Sequence, residues 1–381
     1  MILWKLNLRH LRAFTETVKL GSINAAAQSV SLTQPAITQA LAKLERMLGL
    51  TLFDRQPDGM QATAAAHIFL PRVDAALAHI NSSRVTMTQV HALIVLAKHG
   101  SYAVASAATK LSQPALHRAI QDVSLALGKS LVERRGRGVM LTESGQRIVR
   151  GFRLARTELA AGLSEIEALK GHETSRISIG AMPLSRARLL PKAVAAYHRT
   201  HPEIDIIIAE GSHAELIEPL RDGELDLLIG ALRDPPPGED VQQVPLFQDH
   251  PVIIGRRGHP LQNEKGDTPN AATLAAYPWI ISAEGTPLRK QWERMFSDAG
   301  AAAPHVPIEC GSVITIRQLL IEGDYLTLLS LDQVAVELEA GWLCVICSAP
   351  EGLMRTIGIT TRTGWVPTKM QAAFIETLMT S

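Results

Sequence analysis

Three arginines, Arg134, Arg135 and Arg137, crowd into the stretch LVERRGRGVMLT (131–142), where Gly136 and Gly138 separate them and short apolar runs flank them. A glycine-rich basic loop between two apolar runs reads as a β-hairpin. Guanidinium groups on such a loop suit phosphate oxygens, contacts that position a protein on nucleic acid without reading its sequence. Other reactive residue types form no working pattern. Cys344 and Cys347 make a lone Cys-x-x-Cys. On a strand, residues three apart face opposite sides, and there is no second pair to complete a tetrahedral zinc site. With Cys310 they are expected to be core thiols. No His-Glu-x-x-His, Walker loop or Gly-x-Ser-x-Gly occurs, and no spacing of Ser, His and Asp makes a triad. The expectation is a protein that is not an enzyme and needs no cofactor or metal.

The net charge of the 381-residue chain, +1, hides an asymmetry. Residues 1–170 carry 21 Lys/Arg against 11 Asp/Glu, whereas residues 171–381 carry 17 against 26. A basic half suits a polyanion and an acidic half suits another task, unless two soluble domains of opposite charge were simply fused. No apolar run approaches the ~18 residues of a membrane span. The start, MILWKLNLRHLR, has no apolar core of signal-peptide length, so a cytoplasmic protein is expected.

The elements that would hold the basic loop occur twice. Residues 7–67 align without gaps onto 86–146 at an offset of 79, with 16 of 61 positions identical. Among them are Gly21-Ser22 with Gly100-Ser101, Gln34-Pro35-Ala36 with Gln113-Pro114-Ala115, and Leu48-Gly49 with Leu127-Gly128. In the first unit Leu8, Leu11, Phe14 and Val18 recur at helical spacing, and Gly21 supplies a left-handed cap. Ser22 or Asn24 caps an alanine-rich helix over residues 25–30. After a short turn Thr33 caps a third helix, with Pro35 in its first turn. That helix turns Ile37, Leu41, Leu44 and Leu48 inward and Thr38, Gln39 and Lys43 outward. Two short helices joined by a tight turn describe a helix-turn-helix. In the first unit the hairpin position reads Arg55-Gln56-Pro57-Asp58-Gly59-Met60, a weaker phosphate holder. Residues 144–170 read as one helix with a seven-residue apolar pattern (Ile148, Phe152, Ala155, Leu159, Ile166, Leu169) that Gly162 interrupts. The first unit shows no comparable tail: residues 64–84 contain Pro71 and lead straight into the second.

The order Gly-Ser, an Ala-rich helix, [Ser/Thr]-Gln-Pro-Ala, Leu-Gly, Leu-Phe-x-Arg and Leu-Thr-x-x-Gly resembles the winged helix-turn-helix of LysR-type transcriptional regulators. The resemblance occurs twice where the ordinary member has one unit. It departs from the pattern at Ala62-Thr63-Ala64-Ala65-Ala66 in the first unit and at Ser106 and Thr109 in the second. The resemblance implies base-reading positions at the start of each third helix. These are Thr33, Gln34, Pro35, Ala36, Thr38 and Gln39, with Lys43 on phosphate, and Ser112, Gln113, Pro114, Ala115, His117 and Arg118. Gln pairs bidentately with adenine and Arg with guanine. The same Ser/Thr-x-Pro residues also serve a plain capped helix start. In this family the helix at 144–170 pairs with its twin to make the dimer; a helix packed on its own domain fits the pattern too.

From Arg176 short apolar runs alternate with helical stretches, implying a parallel-stranded α/β sheet. Strands are expected at 177–180, 204–209, 225–230, 252–254, 279–281, 326–329, 343–346 and 356–361. Helices are expected near 187–200, 213–221, 287–299 and 314–321. Leu189-Leu190-Pro191, His201-Pro202-Glu203-Ile204, Glu218-Pro219-Leu220 with Gly223-Glu224-Leu225-Asp226, and His259-Pro260-Leu261 resemble the effector domain of the same family, which is built like a periplasmic solute-binding protein. The resemblance implies a ligand between two subdomains, at loops leading into helix N-termini, whose free N–H groups favour anions. Ser185, Ser212 and Thr286 are the candidate effector contacts, or else simple helix caps.

The expected architecture is therefore mixed: two tandem all-α-rich winged helix-turn-helix units (6–63 and 85–143) with a connector (64–84), a linker and dimerisation helix (144–170), and a two-subdomain α/β effector domain (174–378). The expected function is sequence-specific regulation of transcription under a small-molecule effector, such as an organic acid, an aromatic or a sugar. The expected partners are double-stranded promoter DNA and RNA polymerase, with a homodimer or homotetramer docking in successive major grooves about 10 base pairs apart. Two alternatives stay open. The first helix-turn-helix is a protein-interaction module, or the chain is a solute-binding α/β protein whose N-terminal half serves only assembly.

Overall fold

The computed structural model describes residues 2–56, 59–136, 138–172, 176–262, 268–350 and 353–380. The chain divides into two compact units, one holding residues 1–176 and the other most of 177–381.

In the first unit, α1 (Leu8–Leu20) ends at Gly21, α2 (Ile23–Ser29) starts from the Ser22 cap and α3 (Gln34–Leu48) from the Thr33 cap. The hairpin β1 (Phe53–Gln56) and β2 (Gly59–Ala62) follows, and then α4 (Ala64–Ile80). The same order recurs as α5 (Met87–His99), α6 (Tyr102–Thr109), α7 (Gln113–Leu127), β3 (Val132–Arg135), β4 (Gly138–Leu141) and α8 (Glu143–Leu169). The fine structure recurs at the same offset of 79. Gly21 and Gly100 both cap in the left-handed region, at φ +63° and +61°, as do Ser31 and Lys110 in the turns, at +54° and +61°. The hairpin hangs from the first cap in both halves: Met60 N donates to Gly21 O at 3.0 Å and Val139 N to Gly100 O at 2.9 Å. A Cβ on Gly59 would lie 2.7 Å from Gly21 O, so only glycine allows that approach. Thr63 and Thr142 cap the following helices and donate to Thr51 O and Ser130 O at 2.9 and 2.7 Å.

The segment after the first helix-turn-helix departs from the sequence expectation. Residues 64–80 form a helix that runs through Pro71. A proline inside a helix costs roughly 3 kcal/mol. Burial offsets it, because Phe69, Val73, Ala76 and Ile80 are 0–2% exposed. At ~1.5–3 kcal/mol for each large apolar side chain buried, Phe69, Val73 and Ile80 together outweigh one proline. Their partner is α8, whose Phe152, Ala155, Leu159 and Ile166 are equally covered in the same core. Leu169 at the helix end is half exposed. Gly162 does not interrupt this face. It is where α8 comes against α4, since a Cβ there would meet Phe69 and Arg72 at 2.9 Å.

In the second unit, one sheet has the order β6-β5-β7-β14-β8, built from β5 (Arg176–Ala181), β6 (Asp205–Glu210), β7 (Leu227–Ala231), β8 (Val241–Asp249) and β14 (Arg355–Arg362). It carries α9 (Leu189–Thr200) and α10 (His213–Arg221). A second subdomain has β9 (Pro251–Arg256), α11 (Ala271–Ala275), β10 (Ile280–Ile281), α12 (Pro287–Asp298), β11 (Ile308–Glu309), α13 (Val313–Glu322), β12 (Thr327–Ser330), α14 (Ala335–Glu339) and β13 (Leu343–Ser348). The final helix is α15 (Lys369–Met379). The expected all-parallel sheet is not what forms: the five-stranded sheet is mixed and the sheet β12-β9-β13 is antiparallel. β5 and β7 run parallel, but β14 is antiparallel to β7 and β8, and β9 to β12 and β13. Strand β8 went unread because Pro245 and its mixed exposure hide the pattern. As the edge of its sheet it tolerates a proline. The ladder of β13 on β9 shifts register between Val345 and Cys347, so the strict alternation assumed for Cys344 and Cys347 does not hold there. All three cysteines are free and half-buried, and among the described residues no group of His, Cys, Asp and Glu could hold a metal. Among the same residues no helix is long and apolar enough to cross a membrane.

Candidate nucleic-acid interface and effector cleft

The caps that start α3 and α7 also decide what those helices expose. The Thr33 hydroxyl accepts from Ala36 N at 3.4 Å and the Ser112 hydroxyl from Ala115 N at 3.3 Å. Pro35 and Pro114 occupy the first turns, where their missing N–H removes no helix bond. With Ile37, Leu41 and Leu44 buried on one side and Leu116, Ile120 and Val123 on the other helix, the opposite faces stand in solvent. Thr33, Gln34, Pro35, Gln39 and Lys43 are exposed, while Ala36 and Thr38 are half-buried, the Thr38 hydroxyl donating to Gln34 O at 3.1 Å. Ser112, Gln113, Pro114, Ala115, His117 and Arg118 are all exposed. Each half thus gathers its candidate base readers on one solvent-facing helix start. Ser106 and Thr109, which depart from the family pattern, are satisfied inside their own turn, donating to Leu111 O at 2.5 Å and Ala105 O at 2.8 Å.

Arg134 and Arg135 lie exposed on β3, Arg135 reaching Met140 Sδ at 3.0 Å. Arg137 lies outside the described residues. Between this hairpin and α7 sits a groove lined by Tyr102, His117, Gln121, Glu133 and Arg134. The Tyr102 and His117 rings are 5.3 Å apart. Burial pushes the Tyr102 phenol above its ordinary pKa while Arg134 opposes it, so the phenol stays a neutral donor. Sequence reasoning passed over Tyr102. Its signal was an aromatic at a helix start where the first unit has Ile23.

The second unit holds a cavity of about 370 Å³. The loops after β5, β6 and β7 meet those before α12 and α13 there. Ser212 and Thr286 line it; Ser185 does not. The Ser185 side chain is fully buried and its hydroxyl donates to Met182 O at 2.9 Å, closing the turn after β5. Ser212 Oγ lies 2.8 Å from Glu215 Oε2, and Thr286 Oγ1 donates to Ala283 O at 2.8 Å while accepting from Arg289 N. Both hydroxyls therefore cap helices as well as lining the cavity.

The cavity's charge was not foreseen. Arg186, His213, Arg233 and Arg355 line it, against one carboxylate, Glu215. Arg186 pairs with Glu210 at 2.6 Å, and Arg355 pairs with Asp249. Gln243 clamps the Arg233 backbone at 2.8 and 2.9 Å, and burial lowers the pKa of its guanidinium. His213 is pushed down to about 4 by burial, then by Arg233 and Arg221, and its Nε2 is buried without a hydrogen-bond partner. A neutral imidazole among arginines is what remains when positive charge is already in excess. Cys310, packed against the core of its subdomain, also lines the cavity.

Comparison with known proteins covers both halves of the chain. The model of the bacterial regulatory helix-turn-helix protein, lysR family, matches residues 8–67 and again 87–146. The LysR substrate binding domain matches residues 170–381. The transcriptional regulator GalR of Pseudomonas putida is 30% identical over 371 residues, covering 94% of this chain and 93% of its own. The SDS degradation transcriptional activation protein of a Pseudomonas species is 31% identical over 280 residues, covering 73% and 90%. Among solved structures, a full-length OxyR variant from Pseudomonas aeruginosa shares the fold with a TM-score of 0.58 at 24% identity, covering 77% of this chain and 93% of its own. CbnR complexed with its target DNA does so with a TM-score of 0.54 at 19% identity, covering 76% and 97%. Matched in its basic and its acidic half alike, the chain belongs to the LysR family of helix-turn-helix transcriptional regulators, which are not enzymes.

Proposed function

We propose that this regulator reads DNA with two tandem winged helix-turn-helix units, residues 6–63 and 85–143, and is controlled by a small organic anion bound in the effector domain, residues 174–378. The observation that carries the reading is the recurrence, at an offset of 79, of a capped recognition helix with its polar face in solvent. The solved relatives cover nearly all of their own length but about three quarters of this chain, and the remainder is about one such unit. GalR aligns along nearly the whole of both chains, so that relative has room for the same extra unit.

In this reading Gln34, Gln39, Gln113, His117 and Arg118 face base edges, with Thr33, Pro35, Ala36, Thr38, Ser112, Pro114 and Ala115 shaping the approach. Lys43, Arg134, Arg135 and Arg137 take phosphates. Arg233, with Arg186 and Arg355 that also pair with Glu210 and Asp249, favours a carboxylate-bearing effector; the neutral His213 adds a hydrogen-bonding group rather than charge, and Ser212 and Thr286 are neutral contacts. The effector favours one setting of the α/β subdomains, and only a difference in affinity between settings shifts DNA bending or contact with RNA polymerase. The protein acts in the cytoplasm as a homodimer or homotetramer.

Footprinting on the DNA beside its own gene tests the reading, using Gln34→Ala and Gln113→Ala. Each change is expected to erase one of two separate protected segments. If only Gln113→Ala matters, the first unit is an interaction module. Absence of any footprint at low salt returns the chain to the solute-binding alternative.

A further inference from the structure

The contacts between the two helix-turn-helix units obey a rule that neither unit imposes alone. Arg72 of α4 pairs with Glu158 of α8 at 3.2 Å. Adding 79 to the first number and subtracting it from the second gives Gly151 and His79, and these also touch: a Cβ on Gly151 would lie 2.7 Å from His79 O. Trp4 stacks on His91 of α5, ring centroids 4.1 Å apart. Its exchanged pair is Ser83 and Arg12, and Arg12 Nη1 donates to Ser83 O at 3.3 Å. Reciprocity of this kind, i touching j while the equivalent of j touches the equivalent of i, is the mark of an isologous two-fold contact. Here both partners lie in one chain.

We propose that one chain is its own DNA-binding pair: α4 and α8 join the two units about a pseudo-two-fold axis, and a single chain grips one bipartite site. The inference rests on the DNA-binding reading above. The apolar face of α8 is used up in this pairing, because Phe152, Leu159 and Ile166 are 0–1% exposed with no second chain present. Any homo-oligomer must therefore form through other surfaces. The half-sites must also differ. Thr38, Gln39 and Lys43 of one recognition helix stand where the other has His117, Arg118 and Asp122. One half holds glutamine and lysine chemistry. The other places arginine, the guanine reader, beside an aspartate that repels phosphate and leaves the grip to the arginine hairpin. The covalent link fixes which half lies where, so the site is a directional, non-palindromic sequence.

The full-length protein tests this without and with DNA. A benzophenone amino acid in place of Trp4 keeps an aromatic on the His91 ring and captures it on illumination. The expected product migrates as one chain and joins the Trp4 peptide to an α5 peptide at every protein concentration. A product of two chains, growing with concentration, overturns the proposal, since the pair then forms between molecules. On a duplex carrying the footprinted site, native mass is expected to show one chain for each pair of protected segments, and two chains per pair overturns the proposal. A one-chain crosslink with no DNA binding sinks the DNA-binding reading and the grip together, while the helix pair itself stands.

Discussion

Replacing Arg72 tests the seam between α4 and α8 at its most polar point. The Arg72 side chain is 5% exposed, 2.7 Å from Glu165 and 3.2 Å from Glu158, whose side chains are 20% and 14% exposed. Burial disfavours its charge, yet the hydrogen bonds and charges of Glu165 and Glu158 outweigh that and raise its pKa. Arg72→Met keeps most of the stem that packs on Gly162 and removes the guanidinium. Two carboxylates of α8, Glu158 and Glu165, then lose the Arg72 guanidinium in a covered seam. Breaking a buried pair costs roughly 3–5 kcal/mol. Both glutamates retain some contact with water, so the low end, about 3 kcal/mol, is expected here. The assay is urea unfolding followed by helical circular dichroism, with the m-value checked for constancy. Adding Glu158→Gln and Glu165→Gln to Arg72→Met is expected to recover at least half of the loss, because no uncompensated charge is left. A loss below about 1 kcal/mol for Arg72→Met, or no recovery in the triple variant, refutes the view that this network holds the seam.

Two further outcomes follow from the candidate sites. Replacing Arg134 and Arg135 together by alanine is expected to reduce the slope of log K against log salt by about 1.8, at about 0.9 per phosphate contact. Gln113→Ala should leave that slope unchanged, and an unchanged slope in the double arginine variant removes the hairpin from the phosphate backbone. His213 titrates near 4 in the folded protein against 6.5 unfolded. Between those values the unfolded chain holds the extra proton, so this group lowers stability as pH falls from 6.5 toward 4 and contributes nothing to the pH dependence above 6.5. His213→Asn should flatten the stability profile across that window in chemical denaturation, and a profile identical to that of the native sequence would show that the imidazole is not held neutral.

Much of the basic unit was legible because local chemistry settles it. Gly21 and Gly100 must accept positive φ, Thr33 and Ser112 must cap, and each choice agrees with the apolar period beside it. The effector cavity was legible in position but not in chemistry. Arg186, His213, Arg233 and Arg355 come from four separate loops and strand ends, and no spacing in the chain announces that folding brings them together. Ser185 sits in the right loop and faces the wrong way, since the same turn that brings the loop to the cavity turns its hydroxyl back onto Met182 O.

The α4–α8 pair shows where such reading stops. An apolar stripe on α8 states that a face must be covered; it does not say by what. The stripe allows two covers, a second chain and the helix's own domain, and Pro71 hides from the sequence pattern the helix that the chain itself offers. Propensity sets the proline at about 3 kcal/mol against helix formation, and the buried Phe69, Val73 and Ile80 stand on the other side of the balance. Once α4 is admitted as a helix, the offset of 79 makes it the counterpart of the first turns of α8. Two counterparts with matching apolar faces in one chain meet at a far higher effective concentration than two separate molecules do. Pairing within the chain is then the expected result of duplicating a unit together with its tail.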